Sequence, residues 1–273
     1  MYLQHWGLDR SPFAASPETP YPTEPLAEAT ARADYLITER RRMGVLLGGR
    51  GVGKSTCLTA IAQEQRTGER RAAVASIDAV ALTARELLWR TAEGLGASPD
   101  GADQQMTLWR RIEDQLAENR WQDRATVLLI DDAQELGPDS QQQLVRLARL
   151  DSSPGAQWTI ILATSPASLE RLSDSLLHLI DLRIDLAPWG LDDTIGYVQT
   201  CLVEAGRLDP VFDDEALVRL HELTRGVPRH VLRLADFALL AAAGERAVRV
   251  GKSLVDQAFA ETKWAPAGVA LAG

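Results

Sequence analysis

Between the apolar run MGVLL (43–47) and a stretch of helical pattern lies GGRGVGKST, residues 48–56. No other segment restricts the fold as strongly. Gly48, Gly53, Lys54 and Ser55 satisfy the spacing G-x-x-x-x-G-K-[ST] of a phosphate-binding loop, and Gly49, Arg50, Gly51, Val52 and Thr56 complete it. Glycines let the backbone fold so that successive N–H groups converge on phosphate oxygens. The helix that begins there adds the positive end of its dipole. Lys54 supplies a cation for the β- and γ-phosphates, and the Ser55 hydroxyl supplies a ligand for Mg²⁺. The placement of Lys54 is informative, because the only other lysines are Lys252 and Lys263.

A loop of this kind joins a buried strand to a helix, and the rest of the chain continues the alternation. Leu26 to Arg42 is helical in pattern, and a helix is expected from about Gly53 to Arg66. The run AAVASI precedes a helix beginning near Thr83. A polar linker, Ser98 to Asp103, leads to another helix ending near Asn119. TVLLI, a helix from about Pro138 to Leu150, WTIILA and LIDLRIDL follow. Short apolar runs separated by helices predict an α/β fold with a parallel sheet covered on both faces.

After Pro188 the strands stop. Residues 191–243 read as three helices, with breaks at Gly206–Pro210 and Gly226–Pro228. The expected organisation is an N-terminal arm (1–25), an α/β core (26–190), a small all-helical lid (191–250), and a C-terminal helix with a frayed tail (251–273). The arm is rich in proline and aromatic residues and is expected to be mostly irregular.

A phosphate loop needs an acidic residue at the end of a nearby strand to attend the metal. TVLLIDDAQEL (126–136) ends its apolar run on Asp131, which takes that role. Asp132 is the candidate for polarising an attacking water. Its carboxylate sits on a side chain one methylene shorter than glutamate and reaches about 1 Å less, a difference that can cost on the order of a hundredfold in rate. Glu135 lies beyond the strand end.

Composition removes several alternatives. With 45% hydrophobic and 25% charged residues, the chain has the balance of a soluble globular protein, and its net charge of −9 argues against a surface that binds nucleic acid along its whole length. Cys57 and Cys201 form no C-x-x-C pair and read as buried thiols of a reducing compartment. His5, His178, His221 and His230 lack metal-ligand spacing. No signal peptide or membrane-length apolar run is present, so a cytoplasmic location is expected.

With both motifs placed, the chain resembles an AAA+ P-loop ATPase of the ExeA/GspA (general secretion pathway protein A) type. HWGLDRSPF is similar to that family's aromatic-Gly-Leu…Pro-Phe opening, and LLIDDAQEL to its Asp-Glu-Ala-Gln run. RGVPRHVLRLADFALL is similar to its Gly-[Ile/Val]-Pro-Arg segment and following helix. The resemblance implies ATP as nucleotide and Mg²⁺ as its metal. It also implies a sensor 1 residue at Thr164 or Ser165, where the strand IILATS ends, and a sensor 2 arginine at Arg229. Capping of the next turn is the competing reading for Thr164 and Ser165. Arg229 would fall in the first turn of a helix, where a cation is disfavoured unless something anionic faces it, and a surface salt bridge is the competing reading.

Family members work as oligomers in which a neighbour's arginine completes each site. Here Leu179 falls near the expected position, leaving Arg146, Arg149, Arg171 and Arg183 as candidates beside the alternative of solvated surface arginines. Trp6 and Phe13 are either lining for an adenine pocket or packing anchors. The functional expectation is a homo-oligomeric ATPase of low basal rate, coupling nucleotide state to a protein partner in a secretion or type IV pilus system at the inner membrane. Membrane contact is expected to come through that partner. A DNA-associated AAA+ regulator, of the transposition-helper or replication-initiator kind, is the alternative, and a nucleotide-gated scaffold the third.

Overall fold

The computed structural model describes residues 2–13, 20–68, 71–150 and 156–262. In chain order the elements are α1 (Tyr2–Trp6), α2 (Glu24–Thr38), β1 (Met43–Leu47), α3 (Lys54–Thr67), β2 (Ala73–Asp78), α4 (Ala84–Gly94), α5 (Gln105–Trp121) and β3 (Thr126–Asp131). They continue with a 3₁₀ turn (Ala133–Glu135), α6 (Pro138–Ala148), β4 (Trp158–Thr164), a second 3₁₀ turn (Pro166–Arg171), α7 (Asp174–Leu177) and β5 (Leu182–Asp185). The remainder is helical: α8 (Leu191–Glu204), α9 (Asp214–Thr224), α10 (Pro228–Gly244) and α11 (Lys252–Ala260). The tail expected to fray lies outside the described residues.

These elements form two compact units. The first, residues 26–187, is built on a five-stranded parallel sheet of order β2-β3-β4-β1-β5. Alternate residues of each strand point to opposite faces. Met43, Val45, Leu47, Leu128, Ile130, Ile160 and Leu162 therefore join the core under α4, α5 and α6. Leu46, Val127, Leu129, Ile161 and Ala163 join the opposite core under α2 and α3. Burial of both faces explains why β1 and β4 show no apolar–polar alternation and are buried at every position. The helix predicted near Thr83 starts there because Thr83 and Glu86 form a capping box.

Helix α2 stops at Thr38, four residues short of the expected end. Arg40 adopts a left-handed conformation (φ 52°), and the Arg41 N–H bonds back to the Leu36 carbonyl. This is a C-terminal closure that usually advertises itself by glycine. The expected strand LIDLRIDL shortens to β5 for a separate reason. The Asp181 carboxylate accepts the backbone N–H groups of Arg42 and Met43 at 2.9 and 3.3 Å, so Asp181 fastens the start of β1.

The second unit comprises residues 2–13, 20–25 and 188–262 among the described residues. The N-terminal segment, expected to be mostly irregular, carries the five-residue α1. Trp6 in that helix is 2% exposed, and its indole N–H donates to the Leu239 carbonyl at 3.0 Å. It packs with Val198, Leu202, Leu220, Val231 and Leu239, and Phe13 lies against the same core. Trp6 is thus an anchor of the helical unit.

Candidate nucleotide-binding site

The strand register brings the C-terminal ends of β1, β3 and β4 to one level. Leu47 pairs with Thr164, and Ile130 and Val45 both pair with Leu162. Every loop that leaves these ends begins within a residue or two of the same edge, where open α/β sheets bind their ligands.

At that edge the chain turns from Leu47 into the phosphate loop. The Gly48 N–H bonds to the Thr164 carbonyl at 3.3 Å, tying the loop's first residue to β4. Gly51 (φ 83°) and Gly53 (φ 104°) take left-handed backbone angles that β-carbon-bearing residues rarely adopt. Gly53 is also the N-cap of α3 and supplies no side-chain cap. The N–H groups of Lys54, Ser55 and Thr56 in that first turn therefore point outward at the positive end of the dipole. The Lys54 ammonium donates to the carbonyls of Gly48 and Gly49 at 3.2 and 3.3 Å, placing its charge on the loop. Gly49, Arg50, Ser55 and Thr56 are exposed, whereas Val52 is buried and fixes the loop to the core beside Leu46 and Leu186.

Two strands away, Asp131 is partly buried, and its Oδ1 accepts the Asp132 N–H at 2.9 Å. A hydroxyl at Ser55 and a carboxylate at Asp131 are hard oxygen donors of the kind Mg²⁺ takes alongside phosphate oxygens, so these residues fit that metal. Asp132 leaves the strand in a left-handed conformation (φ 47°, ψ 43°) and opens the 3₁₀ turn. Glu135 turns to Arg171, which it meets at 3.6 Å.

The two candidates for sensor 1 part company. Thr164 is fully buried, and its hydroxyl donates to the Gln134 Oε1 at 2.7 Å; the Gln134 Nε2 donates in turn to the Asp132 Oδ1 at 2.9 Å. The Ser165 hydroxyl instead bonds Ser168 at 2.8 Å within the turn that follows β4. Gln134 is the participant that motif reading passed over. Its only signal in the sequence was its place in the Asp-Asp-Ala-Gln run.

Arg229 is exposed on the first turn of α10, in the helical unit. Among the finger candidates, Arg171 meets Glu135, and Arg183 pairs with Asp185 through two bonds near 3 Å that hold its pKa up. Arg146 stacks over the Trp109 ring at 4.1 Å, and Arg149 is exposed at the end of α6. Burial pushes the Cys57 thiol up to about 12 and the Cys201 thiol up to about 11, so both stay protonated. Among the described residues, no three or more His, Cys, Asp or Glu side chains gather as a metal-holding group. Among the described residues, no helix is long and apolar enough to cross a membrane.

Comparison with known proteins agrees with the geometry. Residues 37–172 match the family model of the AAA domain. General secretion pathway protein A of Aeromonas hydrophila is 31% identical over 248 residues, covering 89% of this chain and 45% of that protein. The chain thus spans less than half the length of this relative. Among solved structures, the Aeropyrum pernix Orc1 protein in complex with DNA is similar with a TM-score of 0.67 at 19% identity, over 92% of this chain and 69% of that one. Cdc6p from Pyrobaculum aerophilum gives 0.67 at 18% identity, over 89% and 68%. The Thermotoga maritima RuvB Holliday junction branch migration motor gives 0.57 at 18% identity, over 87% and 68%. At such identities the structures share a fold and no more. With its parallel sheet, phosphate loop and strand-end aspartate, the chain belongs to the AAA domain family and is an AAA+ P-loop protein of the general secretion pathway protein A type.

Proposed function

We propose that the protein binds ATP with Mg²⁺ at the loop 48–56 and hydrolyses it slowly, working as a homo-oligomer in the cytoplasm. In this reading its nucleotide state controls assembly or remodelling of a protein partner of the secretion or type IV pilus class. The observation that carries the reading is the meeting of Gly48, Lys54 and Asp131 at one sheet edge in a chain 31% identical to a secretion pathway protein.

Each role follows from the chemistry of its residue. The loop N–H groups and Lys54 bind and orient the phosphates, so the γ-phosphoryl is presented in one direction. Ser55 and Asp131 would hold Mg²⁺, which when bound would neutralise charge on the phosphate oxygens. Asp132 accepts a hydrogen bond from the attacking water and directs it. Arg229, and an arginine of a neighbouring copy, add positive charge as the phosphoryl group transfers. Basal turnover stays low until a neighbouring copy or the partner tightens the site.

The test compares wild type with Lys54→Ala, Asp131→Asn and Asp132→Asn, using a fluorescent ATP analogue for binding and phosphate release for turnover. Lys54→Ala loses binding, Asp131→Asn loses the Mg²⁺ dependence, and Asp132→Asn binds but does not turn over. Wild-type protein that binds no nucleotide overturns the reading, and turnover on the order of tens per second in the isolated chain overturns its slow-rate part. ATP-dependent binding to duplex DNA that weakens steeply with salt would transfer the coupling to DNA, because phosphate contacts release counterions.

A further inference from the structure

We propose that Gln134 is the positioning residue for Asp132, and that Thr164 acts on the reaction through Gln134 rather than by touching the nucleotide. The inference rests on the ATPase reading above and deepens it.

The hydrogen bonds admit one arrangement. A glutamine amide has an acceptor end and a donor end, and which is which follows from its partners. The Asp132 Oδ1 accepts at 2.9 Å, so the Nε2 end of Gln134 faces it. The Oε1 end then faces Thr164, whose hydroxyl must donate. That hydroxyl has one proton and spends it on Gln134, inside a residue with no exposed surface. Thr164 therefore has no proton left for a phosphate or a water.

Both ends of the relay are fixed to rigid parts. Thr164 sits in the sheet opposite Leu47, and its carbonyl holds Gly48. Gln134 rides on a short turn whose flanking residues Ala133 and Leu136 are buried in the core. Asp132 has its backbone N–H on Asp131, which leaves its carboxylate aimed by the Gln134 amide. This gives the unusual Asp-Asp pair a defined carboxylate direction without a second acidic residue.

The experiment measures the steady-state rate and half-saturating ATP for the full chain and four variants: Gln134→Leu, Thr164→Val, Thr164→Ser and the double Gln134→Leu/Thr164→Val. Leucine and valine keep volume and remove hydrogen bonds, and thermal unfolding checks that each variant is folded. Gln134→Leu and Thr164→Val are expected to lower maximal turnover on the order of tenfold to a hundredfold, the cost of a misplaced reacting group, with half-saturating ATP nearly unchanged. Thr164→Ser keeps the hydroxyl and should restore turnover. The double variant should be no slower than Gln134→Leu alone, because residues in one relay are not additive.

Wild-type turnover in folded Gln134→Leu overturns the proposal. A fall in Gln134→Leu without one in Thr164→Val also overturns it, since Gln134 would then act alone. Losses that multiply in the double variant overturn it as well. Should wild type release no more phosphate than Lys54→Ala, the ATPase reading itself falls and takes the relay with it.

Discussion

Gly226 is where a single added methyl group should do most damage to the helical unit. It lies in the turn from α9 to α10 with φ 66°, immediately after Arg225 at φ 53°. A β-carbon at Gly226 would stand 2.1 Å from the Trp189 carbonyl oxygen and 3.1 Å from His221 Cε1. The first distance is far inside van der Waals contact, and the obstacle is backbone. Relief requires Trp189 to retreat, which breaks the bond from its N–H to the Gly226 carbonyl (2.9 Å) and loosens its packing on the Tyr197 ring (4.7 Å). The left-handed conformation costs alanine about 1 kcal/mol. The lost hydrogen bond and the disturbed ring pair cost about 1 kcal/mol each. Stiffening of the unfolded chain returns a little under 1 kcal/mol. Gly226→Ala is therefore destabilised by about 2 kcal/mol net, or roughly 8–16 °C for a unit of this size.

Because the chain has two units, a single melting curve is ambiguous. Amide exchange in the peptides covering residues 186–230, followed against temperature, isolates the unit concerned. Arg225→Gly is the control: relief of a left-handed side chain and added unfolded-state freedom roughly cancel, so it should be neutral to slightly stabilising. Unchanged exchange in Gly226→Ala, or equal damage in Arg225→Gly, would refute the reasoning.

Two other perturbations have equally direct readouts. Gln141 is buried, donates from Nε2 to the carbonyls of Leu136 and Arg171 (both 3.0 Å), and accepts the Ser173 N–H at 2.7 Å. Gln141→Leu leaves three backbone groups unpaired and should cost about 2–4 kcal/mol in urea unfolding of the α/β unit. His230 has its pKa lowered, first by burial and then by the charges of Arg233 and Arg229. The unfolded chain therefore takes up this proton before the folded one. The stability associated with His230 is complete above the ordinary histidine value of about 6.5 and is lost as pH falls below it. His230→Gln should flatten that acid-side slope, measured by urea midpoints across the same pH window.

The parallel sheet was legible because β1, β3 and β4 are buried on both faces, which leaves an unbroken apolar signature between glycine- and proline-marked turns. The phosphate loop was legible because its backbone demands glycine at positions such as Gly51 and Gly53. What escaped reading are features carried by residues that announce nothing. Arg40 closes α2 in a left-handed conformation without glycine, so the pattern ran on to Arg42. Tyr2–Trp6 is too short for periodicity to register, and its helix depends on Trp6 finding the α10 backbone. Gln134 sits in a 3₁₀ turn of only three residues, too short for periodicity to mark, and its role depends on Thr164 lying thirty residues later in the chain. Pairing of that kind is set by sheet register, which no local window contains.

The same geometry changes what Asp132 means. Judged against a glutamate, an aspartate here looks like a carboxylate that stops about 1 Å short. Its backbone, however, is left-handed (φ 47°, ψ 43°), a region where aspartate is tolerated better than longer side chains because its short polar group bonds locally. The Gln134 amide meets the carboxylate at 2.9 Å, a distance set for the shorter side chain. Glutamate at 132 would push its oxygens past that amide and add backbone strain of about 1 kcal/mol. Asp132→Glu should therefore leave ATP binding intact and fail to raise basal phosphate release, despite its added reach. A gain above about threefold would show that reach alone limits the rate, since that much exceeds ordinary context effects of a fraction of a kcal/mol. The aspartate and its glutamine would then be unrelated neighbours instead of a matched pair.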